Sequence, residues 1–125
     1  MTHFGKMATF IPSGPDFEKA KQFFAALGFE TTWSNDEYVG LQRGDCAFIL
    51  QKYDAPDFAA NLMVRVPVAD LDALWREIQA GDLISRFGIK ANPPHSFPWG
   101  ATEIHLIDPA GVCWHFADLR PAGGQ

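Results

Sequence analysis

Residues 97–116 read FPWGATEIHLIDPAGVCWHF, and this stretch is predicted to hold two strands and the turn that joins them. The turn, DPAG at 108–111, has Pro at the second position of a type I turn and Gly where a bulge needs a positive φ. Asp108 is therefore expected to pair with Val112. Counting outward from that pair places His105 opposite His115, with Cβ atoms roughly 4.5–5.5 Å apart.

Strand side chains alternate between faces, so the same stretch also predicts which residues share a face. The even-numbered residues of both strands are large and apolar, and they are expected to cover the core. That leaves Glu103, His105 and His115 together on the other, concave face.

The first half of the chain shows an order of elements that the second half repeats. A strand at 8–12 and a helix from Asp16 to Gly28 precede strands at 29–34, 38–42 and 46–52. After a linker at 53–57, a strand at 62–66 and a helix at 70–80 come before the closing pair of strands. The repeat predicts one domain, 1–125, of two modules at about 7–53 and 60–118. Each module also has a Cys two residues after a Gly in its last strand.

Composition excludes several classes of protein. The chain has 125 residues, of which 47% are hydrophobic, enough for one packed domain and too interrupted for a membrane span. A net charge of −5 without a Lys/Arg cluster argues against nucleic acid or an anionic membrane as a partner. Two cysteines give no disulfide framework, and the N-terminus has no apolar run of signal-peptide length, which favours a cytoplasmic location.

Three motifs together carry a resemblance to a known superfamily. They are the helix with Phe23-Phe24 and Leu27-Gly28-Phe29, the segment LDALW at 71–75, and above all PWG at 98–100 with DPAG and the following CWHF at 113–116. The chain resembles the vicinal-oxygen-chelate superfamily of glyoxalases, extradiol dioxygenases and fosfomycin and bleomycin resistance proteins, and the last block looks most like the bleomycin resistance proteins. The resemblance implies an α+β fold of two tandem βαβββ modules that form a cupped mixed sheet with helices on its outer face. It also implies a homodimer with ligand crevices between subunits.

The alternation of strand side chains and the resemblance together predict which residues line the crevice. Alternation places Ile49, Gln51, Asn61, Met63 and Arg65 on the concave face, and the resemblance puts aromatic residues beside it. Arg65 departs from the bleomycin resistance pattern, which has an aromatic there, and its guanidinium would favour a carboxylate or phosphate, or pair with Glu103. The full candidate ligand-binding set is Trp33, Tyr38, Ile49, Gln51, Asn61, Met63, Arg65, Trp99, Glu103, His105 and His115. No residue is nominated as catalytic.

The segment 86–98, with little periodic pattern, is expected to form a flexible rim of the crevice.

The resemblance also implies where a metal would lie in metal-dependent relatives. The four matching positions are Thr9, Ile49, Asn61 and His115, and a catalytic divalent ion needs about three good protein ligands. Ile49 offers no lone pair, so the sequence predicts a binding protein for a small molecule, a drug or metabolite, without a metal cofactor. The alternative is a metal-dependent lyase or dioxygenase with a rebuilt divalent site at Glu103, His105 and His115.

Overall fold

The computed structural model describes residues 1–118. Its first module contains β1 Phe10–Pro12, α1 Phe17–Ala26, β2 Glu30–Ser34, β3 Tyr38–Arg43 and β4 Cys46–Gln51. A short helix, α2 Pro56–Asn61, leads to the second module. That module contains β5 Met63–Val68, α3 Leu71–Ala80, α4 Leu83–Phe87, β6 Lys90–Ala91, β7 His95–Ser96, β8 Thr102–Ile107 and β9 Cys113–Asp118.

The two modules build two mixed sheets of the same design. The first has the strand order β1-β4-β3-β2 and the second the order β5-β9-β8-β6, with β7 also paired to β8. In each sheet the first strand runs parallel to the last strand of its module, and the remaining pairs are antiparallel. The predicted α+β fold of two repeated modules is confirmed.

Both long helices begin where the sequence places a capping carboxylate. The Asp16 side chain accepts a hydrogen bond from the Lys19 amide, and the Asp70 side chain accepts one from the Ala73 amide. Each satisfies a backbone donor that the first helical turn leaves open. The apolar stripes that follow are buried on one side of the sheets, which leaves the opposite side of each sheet as an open face.

The buried faces of both sheets share one hydrophobic core. The ring of Phe24 on α1 lies 5.0 Å from that of Phe48 on β4 and 5.5 Å from that of Trp114 on β9, measured between centroids. Phe48 and Trp114 themselves lie 5.2 Å apart. Since Phe48 belongs to the first sheet and Trp114 to the second, the core joins the two modules.

The structure differs from the sequence expectation in two connecting segments. The linker expected at 53–57 runs into α2, which begins with Pro56 at its first turn, where the missing amide hydrogen costs nothing. The segment 86–98, expected to be irregular, contains the end of α4 and the short strands β6 and β7. Elements of two to six residues are too short to produce a readable periodicity, so only tertiary pairing reveals them.

The matching cysteines of the two modules lie on opposite faces. Cys46 packs against the core, whereas Cys113 precedes the buried Trp114 and so points to the open face with His115. The Gly-x-Cys pattern that the two modules share therefore does not place the two cysteines in equivalent structural positions. Within residues 1–118, no helix combines the length and apolar character needed to cross a bilayer.

Candidate functional site

A carboxylate held between two imidazoles forms the polar centre of the second sheet's open face. His105 and His115 are directly paired across β8 and β9, as the turn predicted. Glu103 Oε1 lies 2.8 Å from His105 Nε2 and 3.0 Å from His115 Nδ1, and Glu103 Oε2 accepts a hydrogen bond of 3.2 Å from Trp99 Nε1. Glu103 is 3% exposed, so this carboxylate lies under the surface of the site rather than lining it.

The environment of Glu103 favours its ionised form. Burial acts to raise the pKa of the carboxyl, but the three hydrogen bonds above, together with the attraction of the His115 ring in its protonated form, outweigh burial and hold the pKa below its ordinary value. The group is therefore an anion at neutral pH. An anionic carboxylate accepts hydrogen bonds and donates none, which fixes its role in the cluster.

Three stacked rings cover one side of the cluster. The ring centroid of Phe97 lies 4.6 Å from that of Trp99, with 12° between the planes, and 4.6 Å from that of His105, with 15° between the planes. The tight turn at 97–101 makes the stack, because the Phe97 amide bonds to the Ala101 carbonyl and Gly100 takes a φ of 91°. Trp99 was a predicted site residue and Phe97 was not, although the two lie two residues apart and alternation places them on the same face.

Asp108 fixes the register that brings the two histidines together. Its Oδ1 accepts hydrogen bonds from the amides of Ala110, Gly111 and Val112, and its Oδ2 accepts one of 2.9 Å from Trp114 Nε1. The Asp108 amide bonds to the Val112 carbonyl, as expected from the turn. Burial raises the pKa of Asp108, and the four donated hydrogen bonds offset only part of that effect.

The first sheet carries four of the nominated residues on its own open face. Trp33 pairs with Gly40, which in turn pairs with Ile49, so these three residues lie side by side across the sheet. Tyr38 and Gln51 pair with each other two residues further along the strands. Phe10, which sequence analysis did not nominate, pairs with Ile49 and makes an edge-on ring contact with Tyr38 at 5.9 Å. In residues 1–118 no side-chain hydrogen bond, ion pair or ring contact joins this group to the histidine cluster.

Arg65 and Met63 belong to the second sheet's open face. Arg65 lies beside His115 in the parallel pairing of β5 and β9, and Met63 is 67% exposed. Among the described residues Arg65 makes no ion pair with Glu103, whose partners are the two histidines and Trp99. Arg65 instead borders a cleft of about 820 Å³ between the start of β4 and the end of β5.

Asn61 does not lie in a strand, so the prediction that strand alternation places it on the concave face was wrong. It is the last residue of α2, where its side-chain amide donates to the Asp57 carbonyl. The strand begins at Met63, so alternation does not extend back to position 61.

The metal positions that the resemblance implies do not fit a metal. Ile49 carries no ligand atom, and Thr9 and Asn61 offer only a hydroxyl and an amide oxygen, which are not the His and carboxylate ligands of catalytic divalent sites. His115 is the one strong ligand of that set, and one imidazole is too few for a catalytic ion. The other grouping, Glu103, His105 and His115, has one ligating atom from each residue within 4.8 Å of the others.

The chain is similar in structure to several solved proteins. The chain is similar to a bleomycin-binding protein from Streptomyces verticillus complexed with copper(II)-bleomycin, with 26% identity, 94% of this chain and 98% of that chain covered, and a TM-score of 0.76. It is also similar to a bleomycin resistance determinant encoded on the transposon Tn5, with 24% identity, 91% and 98% coverage and a TM-score of 0.74. A glyoxalase/bleomycin resistance protein/dioxygenase from Nocardioides has 17% identity, 100% and 89% coverage and a TM-score of 0.70. No protein-family model and no curated protein matches the sequence.

These likenesses confirm the class that the paired modules define. The chain has the fold of the vicinal-oxygen-chelate superfamily. Within that fold its structural relatives include the bleomycin resistance proteins, as the PWG and DPAG motifs implied.

Gly40 offers a direct test of how the open face of the first sheet is organised. A Cβ at position 40 would overlap the indole of Trp33 and approach the Thr32 hydroxyl to 2.7 Å. Gly40→Ala is therefore expected to displace the Trp33 ring and change the near-ultraviolet circular dichroism. Gly5→Ala, where an added Cβ meets nothing within 4 Å, is the matched control. An unchanged spectrum in Gly40→Ala would show that Trp33 does not lie over this glycine in solution.

Proposed function

We propose that this protein binds and sequesters a small, partly aromatic molecule, a drug or metabolite, without a resident metal and without turning it over. The observation that carries the proposal is the cluster of Glu103 between two imidazoles, with exposed aromatic surface beside it. Trp99 is 64% exposed and the stacked rings next to it offer flat apolar area, while the cluster offers polar groups that can orient a ligand.

The hydrogen bonds within the cluster support a role without a metal. Glu103 Oε1 already accepts from both imidazoles, so its lone pairs are occupied. A carboxylate whose acceptor positions are used by the two imidazoles is suited to holding these side chains in place for ligand recognition. The bleomycin-binding relatives provide the nearest precedent for a ligand, and bleomycin is accordingly the first compound to test.

Titration with metal-free bleomycin and with copper(II)-bleomycin tests the proposal, followed by a thermal-shift screen of aromatic metabolites and antibiotics. A ligand that binds only the folded state raises the melting temperature by mass action. His115→Ala is expected to weaken binding of an identified ligand by about 1–3 kcal/mol, because a buried hydrogen bond is lost. Fold and assembly should be unchanged. A turnover rate that disappears with this substitution would contradict the proposal.

We further propose that two copies of the chain associate through their open faces to complete the crevice. Large apolar side chains are exposed there: Phe10 is 52%, Trp33 46%, Met63 67% and Trp99 64% exposed. Association of the open faces would remove these side chains from water, which favours it. Light scattering at micromolar concentration is expected to give the mass of a dimer, and a mass of 13.9 kDa across that range would contradict the association.

A metal-dependent lyase or dioxygenase is the second candidate, because Glu103, His105 and His115 bring three ligating atoms within 4.8 Å. Two histidines and one carboxylate form a set that iron enzymes use. Metal analysis of protein purified without chelators separates the candidates. A stoichiometric transition metal that is lost in both His105→Ala and His115→Ala would favour the enzyme. Its absence after reconstitution attempts would exclude this candidate.

A further inference from the structure

The side chain of His115 leaves one of its two ring nitrogens without a partner. Nδ1 lies 3.0 Å from Glu103 Oε1, whereas Nε2 is buried and has no hydrogen-bond partner among the described residues. Buried polar atoms are nearly always hydrogen-bonded, and a buried exception needs an explanation. The position of this exception, on the open face that we propose as the binding surface, suggests that the missing partner is a ligand atom.

The carboxylate determines what kind of partner Nε2 can take. An ionised carboxylate only accepts, so the hydrogen between Glu103 Oε1 and His115 must belong to Nδ1. The same reasoning assigns the hydrogen between Glu103 and His105 to His105 Nε2. In a neutral imidazole the second nitrogen is then an acceptor, and which nitrogen holds the proton is set by the bond that the other nitrogen makes.

We infer that Glu103 is a positioning residue that fixes the ring protons of both histidines, so that neutral His115 presents Nε2 as an acceptor for a hydrogen-bond donor on the bound ligand. This inference deepens the proposed function and rests on it for the ligand. The ligand class is a flat aromatic molecule with an N–H or O–H group at its edge. The plane would lie against the exposed Trp99 surface. Because Nε2 is buried in the free protein, the donor would reach it only after the side chains that cover it move aside.

Neighbouring groups support the assignment. The His105 ring is held by the stack on Phe97 and lies 4.1 Å from the His115 ring, at 49° between planes. Glu103 is further fixed by Trp99, whose indole only donates. Every atom that bonds to Glu103 is thus a donor, and neither ring can flip without losing its bond to the carboxylate.

The tautomers can be measured without any ligand. Long-range ¹H–¹⁵N correlation spectra of protein labelled at its four histidines distinguish protonated from bare ring nitrogens. We expect a protonated Nδ1 for His115 and a protonated Nε2 for His105. Glu103→Ala should abolish this pattern, whereas Glu77→Gln, which removes a carboxylate elsewhere, should leave it intact. A proton on His115 Nε2 in the native protein would overturn the inference.

Ligand selection is tested with a matched pair of probes, benzimidazole and 1-methylbenzimidazole, which differ in the single N–H donor. The native protein should bind benzimidazole up to about tenfold more tightly, the value of one net hydrogen bond. His115→Asn should lose this preference, because its amide can still donate to Glu103 but nothing replaces Nε2. His115→Gln, which places an amide oxygen near the Nε2 position, should retain part of it.

The outcomes separate this inference from the proposed function. Equal binding of the two probes by the native protein would refute the donor requirement. Binding of bleomycin without binding of either probe would refute the inference and leave the proposed function standing. If the tautomers are as assigned but bleomycin, the screened compounds and both probes all fail to bind, the role of Glu103 stands and the proposed function fails.

Discussion

Asp108→Ala is expected to lower the free energy of unfolding by about 3–5 kcal/mol, the largest effect of any single substitution considered in this chain. One side chain accepts four hydrogen bonds, three from backbone amides of the turn and one from Trp114 Nε1. Alanine leaves all four donors without this acceptor, and Trp114 is 1% exposed, so water cannot easily replace the carboxylate at the indole.

Chemical denaturation at neutral pH measures this effect, with Asp45→Ala as the control. Asp45 lies in the tight turn between β3 and β4 but is exposed, so its loss should cost less than about 0.5 kcal/mol. Asp108→Asn should fall between the two, because an amide has one oxygen and cannot serve both the turn and the indole. Equal stabilities for Asp108→Ala and Asp45→Ala would mean that the turn does not depend on the buried carboxylate.

Most of the fold is predictable from the sequence because its strong elements are amphipathic. Alternation correctly placed Phe48 and Leu50 on the buried face of β4 and Ile49 on its open face. The DPAG turn correctly placed His105 opposite His115. Both predictions use only two local rules, the two-residue period of strand side chains and the geometry of the turn. The tertiary contacts of this protein favour the same arrangement. The capping residues Asp16 and Asp70 were likewise visible as helix starts.

The missed features depend on contacts between segments that the sequence does not pair. Asn61 was misplaced because a six-residue helix beginning at Pro56 precedes the strand. The role of Glu103 was underestimated, because alternation gives the face of a residue but not its depth. Its burial results from the turn at 97–101, which folds Phe97 and Trp99 over the cluster. The proposed association of two open faces and the ligand both involve other molecules, which local rules of side-chain period and turn geometry do not describe.

Glu103→Gln is expected to lower the free energy of unfolding at pH 7 by about 2–3 kcal/mol, since hydrogen bonds to a charged group are stronger than neutral ones and the amide has one acceptor oxygen where the carboxylate has two. If the amide oxygen accepts from the histidines, its NH₂ group faces the Trp99 indole, which is also a donor. One partner must therefore be lost. Glu77→Gln, on an exposed carboxylate paired with Arg43, is the matched control and should change stability by less than about 1 kcal/mol.

The pH dependence of the Glu103→Gln effect gives the sharper result. The pKa of Glu103 is lower in the folded protein than its ordinary value of about 4.3, so its stabilising contribution is complete above that value and is lost as the pH falls through the folded pKa. Glutamine has no proton to gain, so the stability difference between native protein and variant should shrink as the pH falls below about 4.3. Urea denaturation above and below that pH measures it. A difference that grows toward acid, or a variant as stable as the native protein at pH 7, would mean that burial outweighs the three donated hydrogen bonds, as it does at some buried ion pairs.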